Sequence, residues 1–327
     1  MKKRIELPLA KPSYCTYHFQ GANDSLYPNN NSMKNWCLNE VMNLTCDRKF
    51  LNGYSSPGVG VEKSSWHDNP FIEKITYPMQ YCNGYINYII KNLLDSQYYV
   101  YYWGIDDYYI NGKSWYKTRH FSHDGLICGY DSFEKTVCIC AYDINWVYRK
   151  FWVPFKSLNA GMKSTWEKEG YFGQFCGIKP KSYNVEFSPD VALKNIKIYM
   201  DSSLEKYPEN ENGMVYGRIV HHYVLLYFDK LIDHSILYER TDRRTLRMLW
   251  EHKSVMLERI KHIEQEKNIG TEFSNMYQSV VDKMNFARML YASYIERRRD
   301  SLLPQIKTAI NDCYNNESLI LEKLLSI

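Results

Sequence analysis

The sequence predicts an α+β protein, with an antiparallel sheet in its N-terminal half and an all-helical C-terminal half. Three observations carry that prediction. Between Leu93 and Phe155 the apolar residues fall in short runs of strand character, such as Tyr98 to Trp103 and Lys135 to Asp143. Asn111-Gly112 lies between apolar runs, which is a strong hairpin signal. After Ser188-Pro189 the apolar period becomes that of helices and stays so, which divides the chain into residues 1–187 and 188–327.

In chain order, residues 1 to 14 hold two prolines and read as an extended lead-in, and Pro12 or Ser13 can start a short helix whose first turn contains Cys15. Ser32 suits the cap of a helix from Met33 to Cys46, with Trp36, Cys37, Val41 and Leu44 on one face. Residues 47–81 are rich in Gly, Ser, Pro and Asn and read mostly as loops. An amphipathic helix from Asn83 to Ser96 points Ile86, Ile89, Ile90, Leu93 and Leu94 inward. Strands follow at Tyr98 to Trp103, Tyr108 to Ile110, the hairpin that begins near His123, and Val147 to Phe155, and then a looped region to about 185. The C-terminal helices are Val191 to Leu204, Met214 to Ile232, Arg243 to Gln265, Glu272 to Arg297 and Leu302 to Leu325.

Composition narrows the function classes. A chain of 327 residues with 45% hydrophobic content can bury a sizeable core, and its 30 Tyr, 13 Phe and 8 Trp suit half-buried strands and pocket rims. The net charge of +4, from 41 basic and 37 acidic residues, is dispersed and leaves no nucleic-acid footprint. No window approaches the roughly 18 apolar residues of a membrane span. Nine cysteines without a repeating frame, behind an N-terminus that lacks a signal-peptide core, point to a reducing cytoplasm. The Cys138-Ile-Cys140 spacing is that of a strand and not of a zinc site, so neither metal nor cofactor is expected.

The chemistry-bearing stretch is the hairpin. His123 enters an apolar run closed by Gly129, and the next run ends in Asp143. If the two pair as antiparallel strands, the imidazole and the carboxylate share one end and form a base with its orienter. The nucleophile to match them is Cys15, because a helix N-terminus favours the thiolate. Cys37 is the second candidate, although its helical spacing puts it with the core. Asp106 and Asp107 read as turn caps, Asp131 as a turn residue, His120 as a surface or supporting residue, and Tyr216, His221 and His222 as core and boundary residues of a helix.

His123-Asp-Gly-Leu-Ile-Cys-Gly-Tyr130 has the His, five residues, Gly-Tyr spacing of papain-like enzymes, and Asp143-Ile-Asn-Trp146 supplies the acid after the next strand. Together with Ile105-Asp-Asp-Tyr-Tyr-Ile110, this resembles the N-terminal domain of the butirosin-biosynthesis acyltransferase family, related proteins of nonribosomal peptide and polyketide clusters, and the transglutaminase-like amide-forming enzymes of polythioamide (closthioamide) assembly. The resemblance implies a papain-like catalytic domain with a Cys15, His123, Asp143 triad. It further implies that an acyl group moves from the phosphopantetheine thioester of a carrier protein, through Cys15, to an amine or a carrier-bound acceptor, in natural-product biosynthesis. A cysteine peptidase, a carrier-protein thioesterase and a non-enzymatic scaffold are the alternatives. No glutamine stands in Leu7-Pro-Leu-Ala-Lys-Pro12 to serve as the oxyanion donor that papain-like enzymes use.

Overall fold

A computed structural model describes the chain except residues 1–2, 28–30, 54, 79–81, 83, 170–173 and 202–212. Its elements, in order, begin with β1 (Arg4–Glu6), α1 (His18–Ser25), α2 (Asn31–Glu40), β2 (Leu44–Asp47), β3 (Val59–Val61), β4 (Ile72–Pro78) and α3 (Ile86–Asp95). They continue with β5 (Tyr99–Asp106), β6 (Ser122–Asp131), β7 (Thr136–Tyr142), β8 (Tyr148–Pro154), α4 (Phe155–Glu169) and β9 (Gln174–Pro180). The last are α5 (Pro189–Met200), β10 (Met214–Tyr216), α6 (Val220–Ile232), α7 (Arg244–Lys267), α8 (Glu272–Arg297) and α9 (Leu303–Leu324). The protein is α+β, with antiparallel sheets and a helical C-terminus.

The chain forms two compact units: residues 1–30 with 65–183, and residues 31–64 with 184–327. The first unit holds a seven-stranded antiparallel sheet in the order β4-β9-β5-β6-β7-β8. β1 pairs with the second half of β6, through Arg4–Asp131, Ile5–Tyr130 and Glu6–Gly129, beyond the point where β5 stops. The motif glycine is thereby explained. A Cβ on Gly129 would lie 2.5 Å from the Ile5 carbonyl oxygen, so only glycine admits the β1 backbone there.

The second unit is built from α2 and α5 to α9, with a three-stranded sheet β10-β2-β3. The segment 31–64, expected to belong to the N-terminal domain, groups with the helices. Arg259, fully buried on α7, donates to the carbonyls of Cys37 at 3.2 Å, Leu38 at 2.6 Å and Val41 at 2.9 Å. A guanidinium satisfies the orphan carbonyls at a helix end and suits its negative dipole, so α2 ends at Glu40 instead of running on to Cys46. Deeper in this unit Glu317 accepts from Lys253 at 2.7 Å, Tyr199 at 2.9 Å and Tyr277, all of them buried. Among the described residues, no helix is long and apolar enough to cross a membrane.

Several local expectations are corrected. The region 47–81, read as loops, contains β3 and β4, and the looped region before 185 contains α4 and β9. Asn111-Gly112 does not join two strands. The chain leaves β5 at Asp106, turns through a 3₁₀ segment Asp107–Tyr109, and enters β6 only at Ser122. Met214–Tyr216 is strand before α6 begins. The expected helix start at Asn83 and helix end at 202–204 lie outside the described residues.

Gly129→Ala is expected to lower the stability of the protein by about 1–3 kcal/mol, the usual cost of forcing a methyl into packed backbone, as measured by urea denaturation. An unchanged midpoint would contradict the β1–β6 packing described above.

Candidate active site

The site begins with an irregularity in β5. Tyr102 pairs with Gly125 and Ile105 with His123, so β5 spends one more residue than β6 over the same span. Gly104, at φ +73°, supplies the left-handed conformation that this bulge needs. The extra residue resets which side chains face which side, and β5 ends with Asp106 opposite Ser122 and Asp107 donating its amide to the Phe121 carbonyl at 2.9 Å.

Asp107 is buried and needs charge partners. Lys113, 1% exposed, stands 3.5 Å from its Oδ1, and His123 Nδ1 lies 3.2 Å from its Oδ2. An ionised carboxylate only accepts, so Nδ1 of His123 carries the proton and Nε2 of the neutral ring holds the lone pair. The His123 side chain is 29% exposed, and its Nε2 lies 3.9 Å from Asp124 Oδ1. This is an oriented imidazole whose second nitrogen can take a proton.

His18 opens α1 and packs edge-on against His123, with ring centroids 4.4 Å apart. Its Nε2 accepts the Tyr142 N–H at 3.1 Å, which leaves Nδ1 protonated and aimed at Asp124 Oδ1, 3.2 Å away. Burial drives the His18 pKa down to about 4, against the pull of Asp124. Burial opposes ionisation of Asp124, but His18 and the Tyr101 hydroxyl that donates to it outweigh this and hold Asp124 well below the usual carboxylate range. The ligand atoms of His18, His123 and Asp124 come within 4.8 Å of one another, as a metal site would require. However, a metal on Nδ1 of His18 would need the other tautomer, with Nε2–H facing the Tyr142 N–H, so the group fits a hydrogen-bond network and not a cation.

The structure places the expected residues as follows. Cys15 precedes α1 instead of sitting in its first turn, and its carbonyl accepts from the Tyr142 hydroxyl. Its thiol lies within electrostatic reach of Tyr148 and Cys140. Tyr142 therefore holds both Cys15 and His18, and His18 borders His123. Cys15 is half-buried and the other eight cysteines are buried. Burial pushes the Cys140 and Cys313 thiols up to about 12 and raises those of Cys46, Cys82 and Cys176. Cys37, the second candidate, lies buried in α2, in the other unit from His123.

Asp143 is the correction. Its Oδ1 accepts from the amides of Asn145 at 2.8 Å and Val147 at 2.9 Å, and its Oδ2 pairs with Arg149. Two amides and a guanidinium outcompete an imidazole, so Asp143 organises the β7–β8 turn while Asp107 orients His123. Asp131 takes its expected turn role, accepting from Phe133 and Glu134. Sequence reasoning missed Asp107 as an orienter, and missed His18, Lys113 and Asp124 altogether. The signal that was present is Asp106-Asp107 followed by two histidines at a spacing of three. Compared with known proteins, the sequence matches no family model and no curated protein.

Of the nine thiols, Cys15 is expected to be alkylated first by iodoacetamide in the native protein, read by peptide mass mapping; earlier modification of any other cysteine would contradict its exposure. The depressed pKa of His18 makes a second test. As the pH falls from 6.5 to about 4 the unfolded chain binds a proton that the folded chain refuses, so up to roughly 3 kcal/mol of stability is present above pH 6.5 and lost on the way down. Asp124 acts in the same direction at lower pH. The slope of stability against pH over that window is expected to be smaller in His18→Gln than in the natural protein, and equal slopes would refute the buried neutral ring.

Proposed function

We propose that this chain is a cysteine acyltransferase, with a papain-like N-terminal unit in which Cys15 is the nucleophile, His123 the base and Asp107 the group that orients the base. The observation that carries the reading is the buried Asp107 on Nδ1 of His123, which leaves Nε2 available in the same unit as the one cysteine that is not buried. A thiol needs a neighbouring base to become a thiolate at neutral pH, and a base needs its tautomer fixed to serve repeatedly.

In the reaction, Nε2 of His123 takes the Cys15 proton and the thiolate attacks the carbonyl of an acyl thioester. The acyl carbon forms a bond to Cys15 Sγ, the donor carbon–sulfur bond breaks, and the leaving thiolate takes the proton back from His123. An amine then attacks the acyl-enzyme, the new carbon–nitrogen bond forms, and Cys15 is released. Thioester exchange is close to neutral in free energy, so the site mainly has to position its groups and stabilise the oxyanion. The donor in this reading is an acyl or peptidyl chain on the phosphopantetheine arm of a carrier protein, the acceptor is a small amine, and the setting is cytoplasmic natural-product assembly.

The test is intact-protein mass spectrometry after incubation with an acyl-loaded carrier protein. The expected result is a mass gain of one acyl group, lost in Cys15→Ala and kept in Cys37→Ala; the reverse pattern would overturn the assignment. Addition of an amine should release an amide, whereas release of free acid would make the enzyme a thioesterase. Asp107→Asn is expected to slow adduct formation by about 10²–10⁴-fold, the range seen when the carboxylate behind a catalytic histidine is neutralised. Asp143→Asn should leave that rate much less affected, and a larger loss at Asp143 would restore it as the orienter.

A further inference from the structure

Asp107 has a neighbour that does the same work on a second ring. Asp106 is 3% exposed, and its Oδ1 accepts the amides of Tyr108 and Phe121, both at 3.1 Å. Its Oδ2 accepts the Ser164 hydroxyl at 2.7 Å and faces Nδ1 of His120 at 2.6 Å. Burial works against the charge on Asp106, and these donors, Ser164 and His120 foremost, outweigh it and hold the carboxyl below its ordinary range. A carboxylate so held can only accept from His120. The ring therefore carries its proton on Nδ1, and its lone pair sits on Nε2, which has no protein partner among the described residues.

The His120 ring is fixed in position as well as in tautomer. It stacks on Tyr108 at 4.2 Å and 24°, yet its side chain is 43% exposed. Phe121, the next residue, meets His123 edge-on at 5.2 Å and is itself exposed. Only Phe121 and Ser122 stand between the two histidines, so their Cα atoms are at most about 11 Å apart. Two adjacent buried carboxylates thus present two oriented imidazoles at one end of the sheet.

Resting on the acyl-transfer reading, we propose that His120 is a second base of this site, which takes a proton from an acceptor that arrives as an alkylammonium ion. The proton balance gives the second base a task. An alkylammonium ion, protonated at neutral pH as a lysine side chain is, must lose two protons to become an amide nitrogen. The first goes to Nε2 of His120 and from there to solvent across its exposed edge, which frees the nitrogen lone pair to attack the acyl carbon. The second leaves the nitrogen as the carbon–sulfur bond breaks and passes through His123 to the Cys15 sulfur. One histidine alone would have to empty itself between the two transfers. An acceptor already neutral at pH 7, such as an aromatic amine, needs only the second transfer.

The experiment uses the acyl–Cys15 enzyme prepared from an acyl-N-acetylcysteamine thioester, with decay of the adduct followed by mass spectrometry after addition of n-propylamine or aniline. His120→Gln is expected to form the adduct at the wild-type rate and to lose about a hundredfold in the step with n-propylamine, a typical general-base contribution, while the aniline step stays near wild type. Free imidazole should restore the n-propylamine step in His120→Gly. Equal slowing with both amines, or slowing with neither, would overturn the second base while leaving acyl transfer intact. A wild-type protein that forms no adduct at all would sink the acyl-transfer reading and this proposal with it.

Discussion

The sheet-bearing unit depends on one constraint at the end of β5: two consecutive carboxylates leave the strand into a buried position, and each must be matched by donors. An unmatched buried carboxylate costs several kcal/mol, so the surrounding chain is arranged around Asp106 and Asp107. The first gathers two backbone amides, the Ser164 hydroxyl and His120; the second takes Lys113 and His123. What begins as a requirement of stability has a chemical consequence. Every donor to a carboxylate points its hydrogen inward, so both imidazoles are held by Nδ1 and both present Nε2 on the other side.

The three histidines of this region show how the second nitrogen decides the role of the ring. His123 and His120 each spend one nitrogen on a carboxylate and keep the other. His18 spends both, one on the Tyr142 amide and one on Asp124, and in full burial it stays neutral. It can brace the start of α1 and the ring of His123, but it cannot take a proton without losing a bond. Asp143 illustrates the same logic for an acid. Placed after a strand that pairs with the histidine strand, it has the sequence position of an orienter, but the turn amides and Arg149 claim both of its oxygens.

In the helical unit, charge is used to specify packing. Arg259 gives three bonds to the end of α2, which helps to tie residues 31–64 into the unit of α5 to α9, as the pairing of β2 with β10 does. The Lys253–Glu317 pair, with Tyr199 and Tyr277, joins α5, α7, α8 and α9 through one buried network. The same packing buries Cys37, which lies in the other unit from His123.

Local pattern determined much of this. The strand runs after Tyr98, the amphipathic helix before it, the helices after Ser188 and the turn at Asp131 each follow from residues within a few positions of one another, and so do His123 at a strand entrance and Gly129 within it. Three things were decided only by the tertiary structure. Residues 31–64 join the helices because partners far along the chain meet them, Arg259 at the end of α2 and β10 against β2. Cys15 stands out because the packing around the other eight thiols buries them. Asp107 and not Asp143 meets His123 because a bulge at Gly104 shifts the end of β5 by one residue, and a shift of one exchanges the side chains that face a strand's two sides. No periodicity records such a shift, since it exists only in the pairing of β5 with β6.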